Sequence, residues 1–300
     1  MKVRIGTRGS ALARAQAEWV AARLREMGHE PELHVLRTTG DVTARPLDET
    51  GLGIFVAEIE QALRRGDVSL AVHSLKDLPT GEREGLVVAA IPEREDPRDA
   101  LVTATGATLA QLPAGGRLAT GSPRRAGQLC AHRPDLTFVP VRGNVDTRLR
   151  KLEEGQFEGL VLACAGLVRL GLAARITERI PLEVSLPAPG QGALAAQVRA
   201  DDAETRTLVA ALDHAPTRAA VTAERECLAH LTGGCIVPVG ALGVVEGDRL
   251  RLSGVIAHPS GTPLYRAEEE GPAGEAEGVG RALAVRLSEM GGARILEECG

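Results

Sequence analysis

Short apolar runs separated by helix-length amphipathic stretches dominate the first two thirds of the chain. Val3 to Ile5, Leu33 to Leu36, Leu70 to His73 and Leu86 to Ala90 read as buried strands, with helical patterns from Ser10 to Met27 and from Ile54 to Leu63. The first helix carries an apolar stripe at Leu12, Ala15, Trp19, Val20, Leu24 and Met27, with Ser10 as its cap and Gly28 as its stop. On that stripe Trp19 reads as core. A second series repeats the rhythm, with strands near Leu118–Thr120, Thr137–Val141 and Leu160–Ala163 and helices beginning near Ser122 and Asn144. Such alternation predicts α/β units.

Two punctuated stretches bracket the second series: Pro92-Glu93-Arg94-Glu95-Asp96-Pro97 and Leu186-Pro187-Ala188-Pro189-Gly190-Gln191-Gly192. Both read as interdomain crossings. A chain that returns to the first sheet after Gly192 crosses twice, which makes a hinge, and the strand-end loops are then expected to face a common cleft. Beyond Ala215 the pattern changes to a helix from Thr217 to Leu231, short strands near Leu250–Ile256 and Leu264–Glu268, and a last helix from Glu275 to Met290. The expected organisation is a discontinuous α/β domain over 1–92 plus about 193–213, a second α/β domain over 98–186, and a small α+β domain over 215–300.

Composition narrows the function classes. With 35 Lys+Arg against 40 Asp+Glu the net charge is −5, and aromatics are 2% of 300 residues, so neither a duplex-binding face nor a base-stacking platform is expected. No apolar run approaches the ~20 residues of a membrane span, and no secretory apolar segment follows Met1. A cytoplasmic protein without membrane partners is expected, and a monomer. The five cysteines, Cys130, Cys164, Cys227, Cys235 and Cys299, include no C-x-x-C pair, which points to free thiols and not to a disulfide framework.

Six arginines read as lying in loops that admit a ligand: Arg8, Arg124, Arg125, Arg142, Arg148 and Arg169. Thr7-Arg8-Gly9-Ser10, Thr120-Gly121-Ser122-Pro123-Arg124-Arg125 and Arg142-Gly143-Asn144-Val145-Asp146-Thr147-Arg148 each end an apolar run and lead into a helical pattern. Free amides and guanidinium forks there suit carboxylates or phosphates. Any one such arginine could simply solvate the surface; the set in shared positions argues for a small polyanion.

In Ala71-Val72-His73-Ser74-Leu75-Lys76-Asp77-Leu78-Pro79 a buried strand ends directly in polar residues, which places Lys76 and Asp77 where α/β clefts open. Asp77 is a candidate acid/base group, with a helix cap or an ion pair to Lys76 as the plain alternative. His73 reads as a satisfied core histidine. In Leu231-Thr232-Gly233-Gly234-Cys235-Ile236-Val237-Pro238 two glycines let a loop present the Cys235 thiol, whereas Cys164 and Cys227 read as core. Cys227, His230 and Cys235 match no common zinc spacing, so no metal is expected. Two rivals are a non-catalytic anion-binding protein of two lobes and a cysteine-nucleophile enzyme using Cys235 with His230. The first needs neither Asp77 nor the Gly-Gly-Cys loop; the second has no guaranteed geometry across two glycines.

Taken in order, Thr7-Arg8-Gly9-Ser10, Thr39-Gly40-Asp41, Val72 to Pro79, Ser122-Pro123-Arg124-Arg125, Arg142-Gly143-Asn144-Val145, Ala165-Gly166-Leu167-Val168-Arg169-Leu170-Gly171, Pro189-Gly190-Gln191-Gly192 and Gly233-Gly234-Cys235 resemble the porphobilinogen deaminase (hydroxymethylbilane synthase) family from end to end. The resemblance implies two α/β domains like the lobes of periplasmic binding proteins, joined by a double-crossing hinge, plus a small α+β third domain. It implies a transferase of tetrapyrrole and haem biosynthesis that condenses four porphobilinogen molecules head to tail, loses ammonia each time and releases hydroxymethylbilane. Each pyrrole brings an acetate and a propionate, so the growing chain accounts physically for many arginines.

The resemblance also assigns residues. A dipyrromethane primer is implied on Cys235 through a thioether, with Asp77, Lys76, Ser74, Thr120, Ser122, Arg124, Arg125 and Arg142 as its cofactor-binding neighbours. Arg8, Ser10, Arg142, Arg148, Arg169 and Gln191 are implied for porphobilinogen and the growing pyrrole chain, and Asp77 as the catalytic carboxylate. Two departures stand out. Thr50-Gly51-Leu52-Gly53-Ile54-Phe55 lacks the lysine that many relatives carry there, and Ser122-Pro123 replaces the more usual Ser-Leu, which stiffens the turn without removing a guanidinium.

Overall fold

The computed structural model describes residues 1–36, 53–81, 83–232 and 237–299. Residues 39–41, 50–52 and Cys235, singled out above, lie outside the described residues. In chain order the strands are β1 (Lys2–Arg8), β2 (Glu30–Leu36), β3 (Leu70–Ser74), β4 (Leu86–Ala90), β5 (Asp99–Thr103), β6 (Arg117–Ala119), β7 (Thr137–Val139), β8 (Gly159–Ala163), β9 (Glu178–Arg179), β10 (Leu194–Arg199), β11 (Val239–Glu246), β12 (Arg249–Ala257) and β13 (Leu264–Pro272). The helices are α1 (Ala11–Glu26), α2 (Gly53–Arg65), α3 (Pro123–His132), α4 (Val145–Glu153), α5 (Cys164–Arg169), α6 (Ala203–Ala210), α7 (Ala215–Thr232), α8 (Ala276–Leu287) and α9 (Ala293–Cys299).

Two compact units result. The first comprises Met1–Arg94 and Ala193–Arg218. Its sheet runs β2-β1-β3-β10-β4, with β1 parallel to β2 and β3, and with β10 antiparallel to both β3 and β4. Leu194–Arg199, which follows the second crossing, therefore lies inside the first sheet. The core between α1 and the sheet is built from Val3, Ile5, Val20, Leu24, Leu70 and Val72, all at most 3% exposed. Ser10 caps α1 by accepting from the Ala13 amide, and Gly28 follows it at φ 81°, as the periodicity predicts. Trp19 packs at the rim of the core with the Arg23 guanidinium 4.9 Å over its ring. Met27, expected on the stripe, is instead 39% exposed because the helix has ended at Glu26.

The second unit comprises Glu95–Gly192 and Ala219–Gly300 and holds two sheets. One runs β7-β6-β8-β5-β9, with β6 parallel to β7 and β8, and with β5 antiparallel to β8 and β9. The other is the antiparallel β11-β12-β13 sheet, backed by α7 and α8 through Cys227, Val279, Leu283 and Leu287. β7 stops at Val139, short of Val141, because Pro140 cannot donate to a ladder. Strands β5, β9, β10 and β11 are not among those read from the sequence, although Pro97 precedes β5 and Gly247-Asp248 closes β11.

The sheets of this unit are tied by polar bonds as well as packing. Gln128 of α3 donates to the Leu186 carbonyl at 3.0 Å and accepts from the Leu186 amide at 2.8 Å, while Arg266 of β13 donates to Gln128 and to the Leu182 and Val184 carbonyls. Glu224 of α7 is fully buried, and its two carboxylate oxygens accept from the Gly190 amide at 2.7 Å and the Gly243 amide at 2.8 Å. Glu224→Ala would strand both amides, each costing about 1–3 kcal/mol when buried without a partner. The urea midpoint of the full chain should therefore fall by the equivalent of roughly 2–6 kcal/mol; an unchanged midpoint would refute this reading of the clamp.

Candidate functional site

Strand direction assembles the candidate residues at two sheet edges. In the first unit β1 and β3 are parallel, so their carboxyl ends share an edge: Arg8 is the last residue of β1 and not a loop residue as the sequence suggests, with Gly9 and Ser10 after it, and Ser74 is the last residue of β3, with Lys76 and Asp77 after it. Leu75–Asp77 form one turn of 3-10 helix, with the Leu75 amide donating to the Ala193 carbonyl at 3.0 Å. That bond and Leu75, 1% exposed, anchor the turn while Asp77 stays half-buried. The Gln16 amide donates to Ser74 Oγ at 2.7 Å, which explains a polar residue on the buried face of α1.

Behind this turn lies a buried polar row. His73 Nε2 sits 3.1 Å from Gln197 Oε1, Gln197 Nε2 donates to Glu60 Oε1 at 3.2 Å, and Glu60 pairs with Arg83 at 3.3 Å. His73 is thus a satisfied core histidine. Burial pushes its pKa down to about 4, against the Gln197 bond and with help from the Arg8 charge.

At the edge of the second sheet, β6, β7 and β8 end alongside the start of the antiparallel β5. This brings together Thr120 and Ser122 after β6, Arg142 and Arg148 after β7, Arg169 after β8, and Asp99 at the start of β5. Ser122 caps α3 by accepting from the Arg125 amide, Pro123 occupies the first turn, and Thr120 Oγ1 accepts from the Ser122 amide at 3.2 Å. Gly143, at φ 112°, has room for no side chain: a Cβ would lie 2.9 Å from Thr147. Arg148 then folds back to donate to the Gly143 carbonyl at 2.7 Å, and Arg142 is exposed.

The arginines are not equivalent surface loops, and this corrects the sequence reading. Arg124 and Arg125 lie in the first turn of α3, Arg148 in α4, and Arg169 ends α5; Arg142 alone of the five in this unit is in a loop. Arg124 and Arg125 are 3% and 6% exposed and converge on Asp99, which has no exposed surface. Arg124 meets both carboxylate oxygens at 2.7 and 3.2 Å, and Arg125 reaches Oδ1 through Nε at 2.9 Å and Nη2 at 2.8 Å. Gln191, 1% exposed, donates to Asp99 Oδ1 at 2.9 Å and to the Pro97 carbonyl at 2.7 Å, and Ser185 donates to Oδ2 at 2.9 Å. Burial alone would raise the Asp99 pKa, but the two guanidiniums outweigh it and hold the carboxyl far below its usual range. Asp99 was missed in the sequence because it lies just beyond Pro92–Pro97, which reads as a crossing, and carries no motif of its own.

Arg169 donates to the Gly192 carbonyl at 2.7 Å, and burial lowers its pKa to about 10, opposed by Glu95. Cys164 and Cys227 are core residues whose thiols burial pushes up to about 12, which suits neither to nucleophilic work at neutral pH. Among the described residues no group of His, Cys, Asp and Glu is arranged to hold a metal ion.

Fold and site together define an α/β protein with arginine- and amide-bearing strand ends and an added antiparallel-sheet domain. Residues 3–207 match the family model "Porphobilinogen deaminase, dipyromethane cofactor binding domain", and residues 218–289 match "Porphobilinogen deaminase, C-terminal domain". A porphobilinogen deaminase of Desulforudis audaxviator is 54% identical, with 98% of this chain and 97% of the relative covered. One of Acidothermus cellulolyticus is 50% identical over 98% of this chain and 91% of the relative. Among solved structures, a periplasmic substrate-binding protein of an ABC transporter from Coxiella burnetii is 18% identical with a TM-score of 0.44, covering 70% of this chain and 91% of its own.

The chain belongs to the porphobilinogen deaminase family. It is a transferase that polymerises porphobilinogen in tetrapyrrole biosynthesis and carries a dipyrromethane cofactor.

His73 generates a pH prediction. Its folded pKa lies below the unfolded value near 6.5, so between about 4 and 6.5 the unfolded chain binds a proton that the folded chain refuses. Stability is therefore full above that window and is lost as pH falls through it, by on the order of 3 kcal/mol at most. Urea titrations at pH 7.5 and 5 should separate the wild type from His73→Gln, whose loss across this interval should be smaller; parallel losses would dismiss His73 as the titrating group.

Proposed function

We propose that Cys235 carries the dipyrromethane by thioether linkage and that residues at the strand-end edges of each unit bind it and the substrate. The observation that carries this reading is the gathering of Thr120, Ser122, Arg124, Arg125, Arg142, Arg148 and Arg169 at one edge of the second sheet. Two pyrroles bear four carboxylates, and a donor set dominated by guanidiniums and helix-start amides fits them. When bound, the cofactor supplies a fixed primer that stays attached through successive turnovers.

In this reading Thr120, Ser122, Arg124, Arg125 and Arg142 hold the primer's carboxylates, and Ser74, Lys76 and Asp77 are further cofactor-binding residues. Arg8, Ser10, Arg142, Arg148, Arg169 and Gln191 bind the acetate and propionate of porphobilinogen and of the growing chain. Asp77 delivers a proton toward the departing amine and offsets positive charge on the pyrrole nitrogens during carbon–carbon bond formation. Its half-buried position on a rigid turn supports this role, since a held carboxylate needs little reorganisation during reaction.

We also propose three functional domains, 1–92 with about 193–213, 98–186, and 215–300 carrying Cys235, in a monomer acting in the cytoplasm. The four described cysteines are free thiols, which supports a reducing compartment. Among the described residues no helix is long and apolar enough to cross a membrane.

The intact denatured mass of the full chain should exceed the polypeptide mass by two porphobilinogens less two ammonias, and Cys235→Ser should lack the excess. Excess mass persisting in Cys235→Ser would move the attachment elsewhere. Asp77→Asn should keep the cofactor mass while losing roughly 10²- to 10⁴-fold in kcat, the usual worth of a positioned proton donor; near-normal turnover would remove Asp77 from the chemistry.

A further inference from the structure

A single carboxylate, Asp99, is gripped by two buried guanidiniums, one meeting it end-on through Arg124 Nη1 and Nη2 and one side-on through Arg125 Nε and Nη2. A structural ion pair needs one arginine; two on one carboxylate leave the trio with a net positive charge in a desolvated place, which does not favour folding by itself. Each guanidinium carries five N–H donors, more than a shared carboxylate can accept. Asp99 is itself fixed from behind by Ser185 and Gln191, while Arg125 also donates to the Val161 carbonyl and Arg124 to the Leu186 carbonyl. The two forks are thus held by β5, by β8 and by the 185–191 segment at once.

We infer that Asp99 is a positioning residue for carboxylate recognition, setting the orientation in which Arg124 and Arg125 serve the cofactor and the growing chain. The inference rests on the reading that these two arginines bind ligand carboxylates. Asp99 touches no reacting atom in this scheme; it acts by fixing two forks whose displacement by about 1 Å can cost on the order of 10²-fold. Ser185 acts on Asp99 in the same way, one step further back.

The test uses the full-length chain, expressed in cells that make no porphobilinogen and then supplied with porphobilinogen. Intact mass followed over time gives the rate of cofactor acquisition, and steady-state assays give KM and kcat. Asp99→Glu keeps the charge but moves the carboxylate by one methylene, so charge compensation survives while position does not. It should acquire cofactor at least tenfold more slowly, and its KM for porphobilinogen should rise by a larger factor than kcat falls. Ser185→Ala, a milder change that keeps the protein folded should Asp99→Glu fail, should slow acquisition about threefold with a wild-type circular dichroism spectrum. Wild-type rates and KM in either folded variant would overturn the inference. Arg124→Leu and Arg125→Leu run beside them: acquisition at the wild-type rate in both would overturn the underlying reading of the arginines, whereas loss there with normal Asp99→Glu and Ser185→Ala would overturn the positioning role alone.

Discussion

A charge removed from water must find a partner, and at the edge of the second sheet that requirement shapes everything around Asp99. Desolvation costs several kcal/mol per ion, so a buried carboxylate holds its place only through dense pairing. Asp99 obtains it from Arg124, Arg125, Gln191 and Ser185 together. Each partner belongs to a different stretch of chain or faces a different strand, so satisfying one carboxylate also fixes the start of β5, the first turn of α3 and the segment leading to Gly192. The start of α3, with Arg124 and Arg125, is thus built on this buried support.

The second organising constraint is strand direction. Parallel neighbours end on the same edge, so β1 with β3, and β6 with β7 and β8, bring sequence-distant loops together without any special device. Antiparallel β10 and β5 add residues from their starts to those edges. This is why Asp77 shares a sheet edge with Arg8 and Ser10 and why Thr120, Arg142 and Arg169 share another. Most of the candidate residues sit at strand ends and on the first turns of the helices that follow them, where the backbone is held by the sheet.

Polar bonds to backbone also join the antiparallel third sheet to the second. Glu224, Gln128 and Arg266 each reach carbonyls or amides of the 182–190 segment, so that this segment is read twice, once by α3 and once by the third sheet and its helix. Close approach at Gly240, whose added Cβ would lie 2.9 Å from the Leu186 carbonyl, completes the contact. Helix α7, which ends at Thr232, is thereby tied to the sheet that bears most of the candidate arginines.

The sequence by itself determined the α/β rhythm, the cap of α1, the start of α3, the family, and the identity of the arginine candidates and of Asp77. Those features are local: periodicity, capping residues and ordered motifs need only a few neighbouring positions to be recognised. Tertiary structure decided which arginines face inward, since Arg124 and Arg125 find Asp99 25 and 26 residues away and Asp99 finds Ser185 and Gln191 86 and 92 residues away. It also decided the place of β10 between β3 and β4 and the burial of Gln16 against Ser74. Such pairings follow from desolvation and sheet order, which act through space between segments that carry no mark of one another along the chain.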